Sequence, residues 1–336
     1  MLTLGFVRTN ADHGVYTRDR VVDGAPRKLV TGLHVNNGLT TGNNNIPKFF
    51  AELGKHFTLK DLGEARDFLG MRIQCDLDAN TVLMDQSGYT ARLLEHFGME
   101  NTSPVASPVE SKENLADTPR GGISKQYCEA VRGLMYLSTC TRPDISYAVG
   151  LVARFTENPG PKHWVAVKQI FRYLCGNPTL GIVYSKTLAG PVFDVMVDAD
   201  HTGNTKDRKS TNGYIFKMSG APIVWISKKQ QSVLIPSTEA EYMGLSACAR
   251  EAIWLRALFS ELSFAQPNGT TIRGDNKGLL MLAAHPSNHQ RTKHINIHYH
   301  FTRERVATKE IILEWISMED MTADVLTKGL GSVKHK

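Results

Sequence analysis

The chain has 336 residues, enough for more than one compact unit, and its 41% hydrophobic and 21% charged residues exclude wholesale disorder. A formal charge of +6 admits a polyanionic partner without requiring one. No apolar run nears the roughly 20 residues that cross a bilayer, the opening MLTLGFVRTNADHG lacks the form of a signal peptide, and five cysteines with neither a CxxC pair nor zinc spacing read as reduced thiols, so an intracellular location with no membrane partner is expected.

Residues 1 to about 45 hold β-like runs such as LVTGLHV between the turn formers NNG and GNNN, which predicts a small hairpin. In IPKFFAELGKHF, the residues Ile46, Phe49, Phe50, Leu53 and Phe57 recur at three- and four-residue steps, the spacing of an amphipathic helix. DLGEARDFLGMRIQC reads as turn, short helix and strand, and TVLMDQSGYTARLLEHFGM as a strand passing into a helix that ends near Gly98. Residues 101–123 are rich in Pro, Ser, Asn and Gly and read as a connector. Helices follow from Tyr127 to Leu174, interrupted at Pro143, and GIVYSK adds a strand. Beyond Gly190, FDVMVDAD, STNGYIFKMS and APIVWISKKQ predict an antiparallel meander, with Gly220 in the turn between the last two strands. A long helix from Thr238 to Leu262, the strand TTIRG, the strand IILEWIS and a short helix in MTADVLTKGL complete the order.

The runs FTLKDLGEARDFLGMRI, TRPDISYAVGLVARF, VDADHTGNTKDRKSTNGYIF, STEAEY and RTKHINIHYHFTRE, in that order, resemble the C-terminal part of a copia-type retrotransposon Pol polyprotein. The resemblance implies an α/β chain: a partial reverse transcriptase palm and thumb over residues 1–110, a helical connection over 111–188, and a ribonuclease H-like mixed sheet flanked by helices over 189–336. In the family the palm hairpin carries two adjacent aspartates, and the matching positions here are Asn36 and Asn37. A neutral amide does not replace a carboxylate in holding hard cations, and the chain begins after the first palm aspartate of the family, so no polymerase activity is expected. Read without the family, Asn37 and Gly38 are simply an Asn-Gly hairpin turn.

For the C-terminal part the resemblance carries metal-binding and catalytic roles onto Asp198, Glu241, Asp275 and Asp324. Two magnesium ions, with manganese as a substitute, need such anionic oxygens to hydrolyse the RNA strand of an RNA–DNA hybrid. Each residue also has a plainer reading. Glu241 completes a Thr238-x-x-Glu241 capping box, Asp198 and Asp275 end strands where turns begin, and Asp324 suits the first turn of a helix. Asp200 competes with Asp198, being two residues away on the same face of a strand. His294, His298 and His300 imitate a transition-metal site, but the resemblance makes their segment a helix or loop on the substrate side. Lys206, Arg208, Lys209, Lys228, Lys229, Arg291 and Lys293 are candidates to track hybrid phosphates, the alternative being a solvated basic face. The partner expected is an RNA–DNA hybrid rather than a small molecule, with association to other retroelement proteins open to the chain. The competing function is a catalytically silent remnant with residual nucleic-acid binding.

Overall fold

The computed structural model describes residues 1–22, 25–43, 45–109, 115, 121, 124–186, 192–200, 210–230, 237–278, 280 and 293–331. The first sheet is antiparallel and larger than a hairpin: β1 (Val7–Arg8), β2 (Val15–Val22), β3 (Ala25–His34) and β4 (Asn37–Gly42) lie side by side in that order. Helix α1 (Ile46–Gly54) packs on it because Phe49 falls on its apolar face and meets Phe6 and Leu29, all three buried. Buried Arg18 closes this core, its guanidinium 3.0 Å from Glu52 and 4.8 Å from the Phe6 ring. Phe57, expected on the same helical stripe, lies beyond the helix end and is exposed. The β3–β4 hairpin turns at Val35 and Asn36, two residues ahead of the Asn37–Gly38 pair, with His34 opposite Asn37 and Leu33 opposite Gly38. A Cβ at Gly38 would stand 3.1 Å from Leu33 Cδ2, so this glycine makes room for its cross-strand partner instead of shaping the turn. Asn36 and Asn37 are both exposed at the hairpin tip.

The helix expected in GEARDF is absent. Instead β5 (Asp67–Phe68) turns through Leu69 and Gly70, with φ of 51° and 74°, into β6 (Met71–Asp76). Two successive left-handed residues favour a tight hairpin over a helical turn. β7 (Thr81–Asp85) continues the sheet, and α2 (Ser87–His96) follows, ending where Gly98 takes φ 63° and Met99 N–H reaches Leu94 O. Helices α3 (Ser124–Cys140), α4 (Ser146–Ala153) and α5 (Pro161–Gly176) then form a core with α2, drawing on Leu94, Leu134, Val149, Ile170 and Phe171. Pro143 opens the single 3-10 turn between α3 and α4. Its neighbour Arg142, 1% exposed, pairs with Asp144 at 2.7 Å and donates to Asn177 O, while the Tyr173 hydroxyl donates to Asp144. Strand β8 (Ile182–Ser185) returns to pair antiparallel with β7, so the contacts cross the connector near residue 110.

The third sheet has the order β11-β10-β9-β12-β13, built from β9 (Asp194–Asp200), β10 (Thr211–Met218), β11 (Ala221–Lys229), β12 (Thr270–Gly274) and β13 (Ile311–Trp315). The meander is antiparallel, its β10–β11 turn at Ser219 and Gly220 with φ 54° and 80°, while β12 runs parallel to both β9 and β13. Central β9 is apolar at every position from Val195 to Val197 because both faces are covered. Helices α6 (Ser237–Glu261) and α7 (Lys293–Ala307) cover one face, burying Val195, Val197, Leu245, Ala249 and Ile272. The 3-10 turn Thr322–Leu326 covers the other, against Met196 and Ile215. Polar contacts link the third sheet and its helix to the rest of the chain: Trp225 Nε1 of β11 donates to Ser138 O of α3 at 2.7 Å, and Trp254 Nε1 of α6 to Ala11 O at 2.8 Å. Glu261 accepts the backbone N–H groups of Asn10 and Ala11. Among the described residues no helix is long and apolar enough to cross a membrane.

Candidate active site

The third sheet reverses its strand order between β9 and β12, which run parallel and pair only at Val195–Ile272 and Met196–Arg273. Past that point the two strands carry Asp198 and, one residue beyond β12, Asp275 at their carboxyl ends. A switch point of this kind leaves a crevice outside the strand ends. Strand alternation sets Asp198 on the Met196 face, towards the 322–326 turn, and it is buried at 4% exposure.

That turn brings three groups to Asp198. Asp324, 7% exposed, lies in the turn itself. Thr327, fully buried, donates its hydroxyl to Asp198 Oδ2. Lys328 sets its ammonium 2.8 Å from Asp324 Oδ1 and 3.3 Å from Asp198 Oδ2. The close approach of the turn depends on Gly213, the β10 residue directly opposite Asp198. A Cβ there would stand 2.7 Å from Thr327 Cγ2 and 2.8 Å from Leu326 Cβ.

Charge makes the crowding visible. Burial raises the Asp275 carboxyl above its usual range, and the Asp198 charge raises it further against the pull of Lys328. Burial likewise raises Asp324, with Lys328 opposing and the Asp198 charge reinforcing the shift. Burial works against the Lys328 ammonium, yet its hydrogen bond to Asp324 and the charges of both aspartates outweigh this and raise its pKa. Glu241 completes the group from the first turns of α6, where Asn276, the residue after Asp275, donates its side-chain N–H to Glu241 Oε2. Asp275 and Asp324 therefore both feel the Asp198 charge at one end of the sheet, and Glu241 is tied to that end through Asn276. Trp315 borders them, its indole N–H on Asp275 O at 3.0 Å and its ring 4.2 Å under the Lys277 ammonium.

Oxygen-only donors of this kind suit a hard divalent cation, and the Asp198–Asp324 pair already faces one positive charge, that of Lys328. Among the described residues no group of three or more His, Cys, Asp or Glu is arranged to hold a metal ion. The plainer reading of Glu241 as a helix cap involves Thr238, whose side chain lies outside the described residues, as does that of Asp200. Of the basic candidates, Lys228 is exposed and Lys229 half-buried at the end of β11. Lys206, Arg208, Lys209 and Arg291 lie outside the described residues, and Lys293 opens α7 with its side chain outside them. The His294, His298 and His300 segment is helical within α7; His300 is exposed, and the side chains of the other two are outside the described residues. Sequence reasoning passed over Thr327, Lys328, Asn276 and Gly213. Only Lys328 had a usable signal, its four-residue spacing from Asp324.

The family described as reverse transcriptase (RNA-dependent DNA polymerase) matches residues 1–111. The Retrovirus-related Pol polyprotein from transposon TNT 1-94 of Nicotiana tabacum is 38% identical over 317 residues, covering 89% of this chain and 23% of its own length. The corresponding polyprotein from transposon RE2 of Arabidopsis thaliana is 35% identical over 342 residues, covering 99% of this chain and 23% of its own length. The chain thus spans about a quarter of the length of these relatives. Among solved structures, a ribonuclease H1 isolated from compost covers 41% of this chain and 93% of its own at 16% identity, with a TM-score of 0.31.

Proposed function

Since the chain belongs to the copia-type retrotransposon Pol polyproteins, we propose that its C-terminal sheet is a ribonuclease H that hydrolyses the RNA strand of an RNA–DNA hybrid. The observation that carries this reading is that Asp275 and Asp324 both lie within reach of the Asp198 charge at the carboxyl end of β9, with Glu241 tied to the same end through Asn276. Like charges brought together in a half-buried place cost stability unless a cation joins them. Two magnesium ions, or manganese in their place, would supply phosphate charge neutralisation and an activated water when bound. Asp198 is the central ligand in this reading, because it lies between Asp324 and Asp275. Asp324 and Glu241 hold the flanks, and Asn276 orients Glu241. Ligation by three carboxylates requires the Lys328 ammonium to withdraw from Asp198 and Asp324. Lys228 and Lys229, at the end of β11, are proposed to meet the duplex backbone, which makes hybrid binding weaken with added salt.

Asn36 and Asn37 at the β3–β4 hairpin tip support an inactive polymerase portion. The same two residues favour the second reading, a silent remnant that keeps only nucleic-acid binding. A hybrid-cleavage assay on the full chain with magnesium separates the two. The nuclease reading expects cleavage that falls in Asp198→Asn, Glu241→Gln and Asp275→Asn by more than the roughly 10–100-fold typical of losing an outer-shell partner. Cleavage that survives Glu241→Gln sinks the four-carboxylate assignment, because Gln still serves as a helix cap. A folded wild type that never cleaves supports the remnant.

A further inference from the structure

We infer that Thr327 is a positioning residue for Asp198, an inference that rests on reading the carboxylates as metal ligands. Its side chain is fully buried and is fixed at both of its branches. The methyl group Cγ2 lies over Gly213, 2.7 Å from where a Cβ on that strand residue would stand. The hydroxyl then points at Asp198 Oδ2. A β-branched side chain has few χ1 choices, so seating the methyl on the glycine also aims the hydroxyl.

The hydroxyl also lies 3.3 Å from Asp324 O. It has one proton to give, and an anionic carboxylate is the stronger acceptor, so Asp198 receives it. Donation to Oδ2 fixes the rotation of the carboxylate about its last bond and leaves Oδ1 to face an incoming cation. Outer-shell hydrogen bonds of this kind orient ligating carboxylates before the ion arrives. Gly213 sits opposite Asp198 in the β9–β10 register, so one sheet position supplies both the ligand's neighbour and the seat of the residue that orients it.

The test is manganese binding to the full chain, followed by titration calorimetry and by the electron paramagnetic resonance signal of free ion. Thr327→Val keeps the methyl seated on Gly213 and removes the hydroxyl; Thr327→Ser keeps the hydroxyl. The wild type is expected to bind manganese in a manner abolished by Asp198→Asn. Thr327→Val should weaken that binding by about 10–100-fold, and Thr327→Ser should recover most of it, while metal-free melting of the Val variant stays cooperative. Wild-type affinity in Thr327→Val overturns the positioning role and leaves the metal reading standing. Equal weakening in Val and Ser also overturns it, since the loss then follows packing and not the hydroxyl. Absence of any Asp198-dependent manganese binding in the wild type overturns the metal reading and this inference with it.

Discussion

Replacing Gly213 by alanine tests whether the carboxylate cluster depends on one missing side chain. Gly213 lies in regular strand with no positive φ, so alanine meets no backbone penalty. On conformational grounds alone the change would stabilise the strand by about 0.5–1 kcal/mol. The added Cβ, however, would stand 2.7 Å from Thr327 Cγ2 and 2.8 Å from Leu326 Cβ. Carbon atoms settle near 3.5–4.0 Å, so one side must give by roughly 1 Å. β10 is hydrogen-bonded on both edges, to β9 and β11, which leaves the 322–328 segment to move. Overpacking of this size costs about 1–3 kcal/mol, so the net effect is a loss of about 1–2 kcal/mol and a melting transition lower by a few degrees. The same displacement carries Thr327, Lys328 and Asp324 away from Asp198, and a 1 Å misplacement costs catalysis up to about 100-fold. Thermal melting without metal and hybrid cleavage with magnesium, measured on wild type and Gly213→Ala, read the two effects separately. An unchanged melting midpoint refutes the packing argument. Unchanged cleavage by a destabilised variant refutes the claim that the turn's placement governs the site.

Asp85, fully buried, ties β7 to α2 by accepting Ser87 N–H at 2.8 Å and pairing with Arg72 at 2.7 Å. Burial pushes its carboxyl up, but Ser87 and Arg72 outweigh burial and hold it below its ordinary value of 3.8. A depressed carboxylate contributes stability above its unfolded pKa and loses it as pH falls through the folded one. Asp85→Asn should therefore cost about 1 kcal/mol near neutral pH, given that solvent screens half-exposed Arg72, and the gap should close in acid. Urea midpoints across pH check this, and a gap independent of pH contradicts it. Lys328→Met keeps the side-chain stem and removes the ammonium between Asp198 and Asp324. In chelator the variant should lose about 1–3 kcal/mol of stability, and adding Asp324→Asn should return part of it. A neutral Lys328→Met would show that the amine does not compensate these carboxylates.

Elements whose apolar period is strong were legible from sequence alone. The long helix α6, the β9–β11 meander with its Gly220 turn and the helical run broken at Pro143 all fall where the pattern puts them. The GEARDF helix failed because local spacing carries no sign that Leu69 and Gly70 would take left-handed conformations. Phe57 continued the helical period past a helix that had already ended at Gly54. At the candidate site, motif order pointed to the four carboxylates. Their partners were not, since Thr327 meets Asp198 across 129 positions and only because a glycine stands opposite in the sheet. Charge crowding between Asp198, Asp275 and Asp324 is likewise a property of the assembled strand ends and has no counterpart in any short window of sequence.

Strand β8 has a consequence for biosynthesis. Its partner β7 ends at Asp85, but the pairing waits for Ile182, about 100 residues later in the chain. A ribosome adding roughly 5–20 residues per second leaves the open edge of β7 unprotected for about 5–20 s. During that interval α2 to α5 can gather their own core, yet the sheet beneath them keeps a row of unsatisfied N–H and C=O groups that any neighbouring nascent chain can match. When β8 arrives it closes that edge and, through Tyr184 on Pro222 O and Ser185 on Ser219 O, docks against the hairpin that the ribosome makes next. Synthesis stalled between residues 100 and 180 would therefore leave the β7 edge open to association.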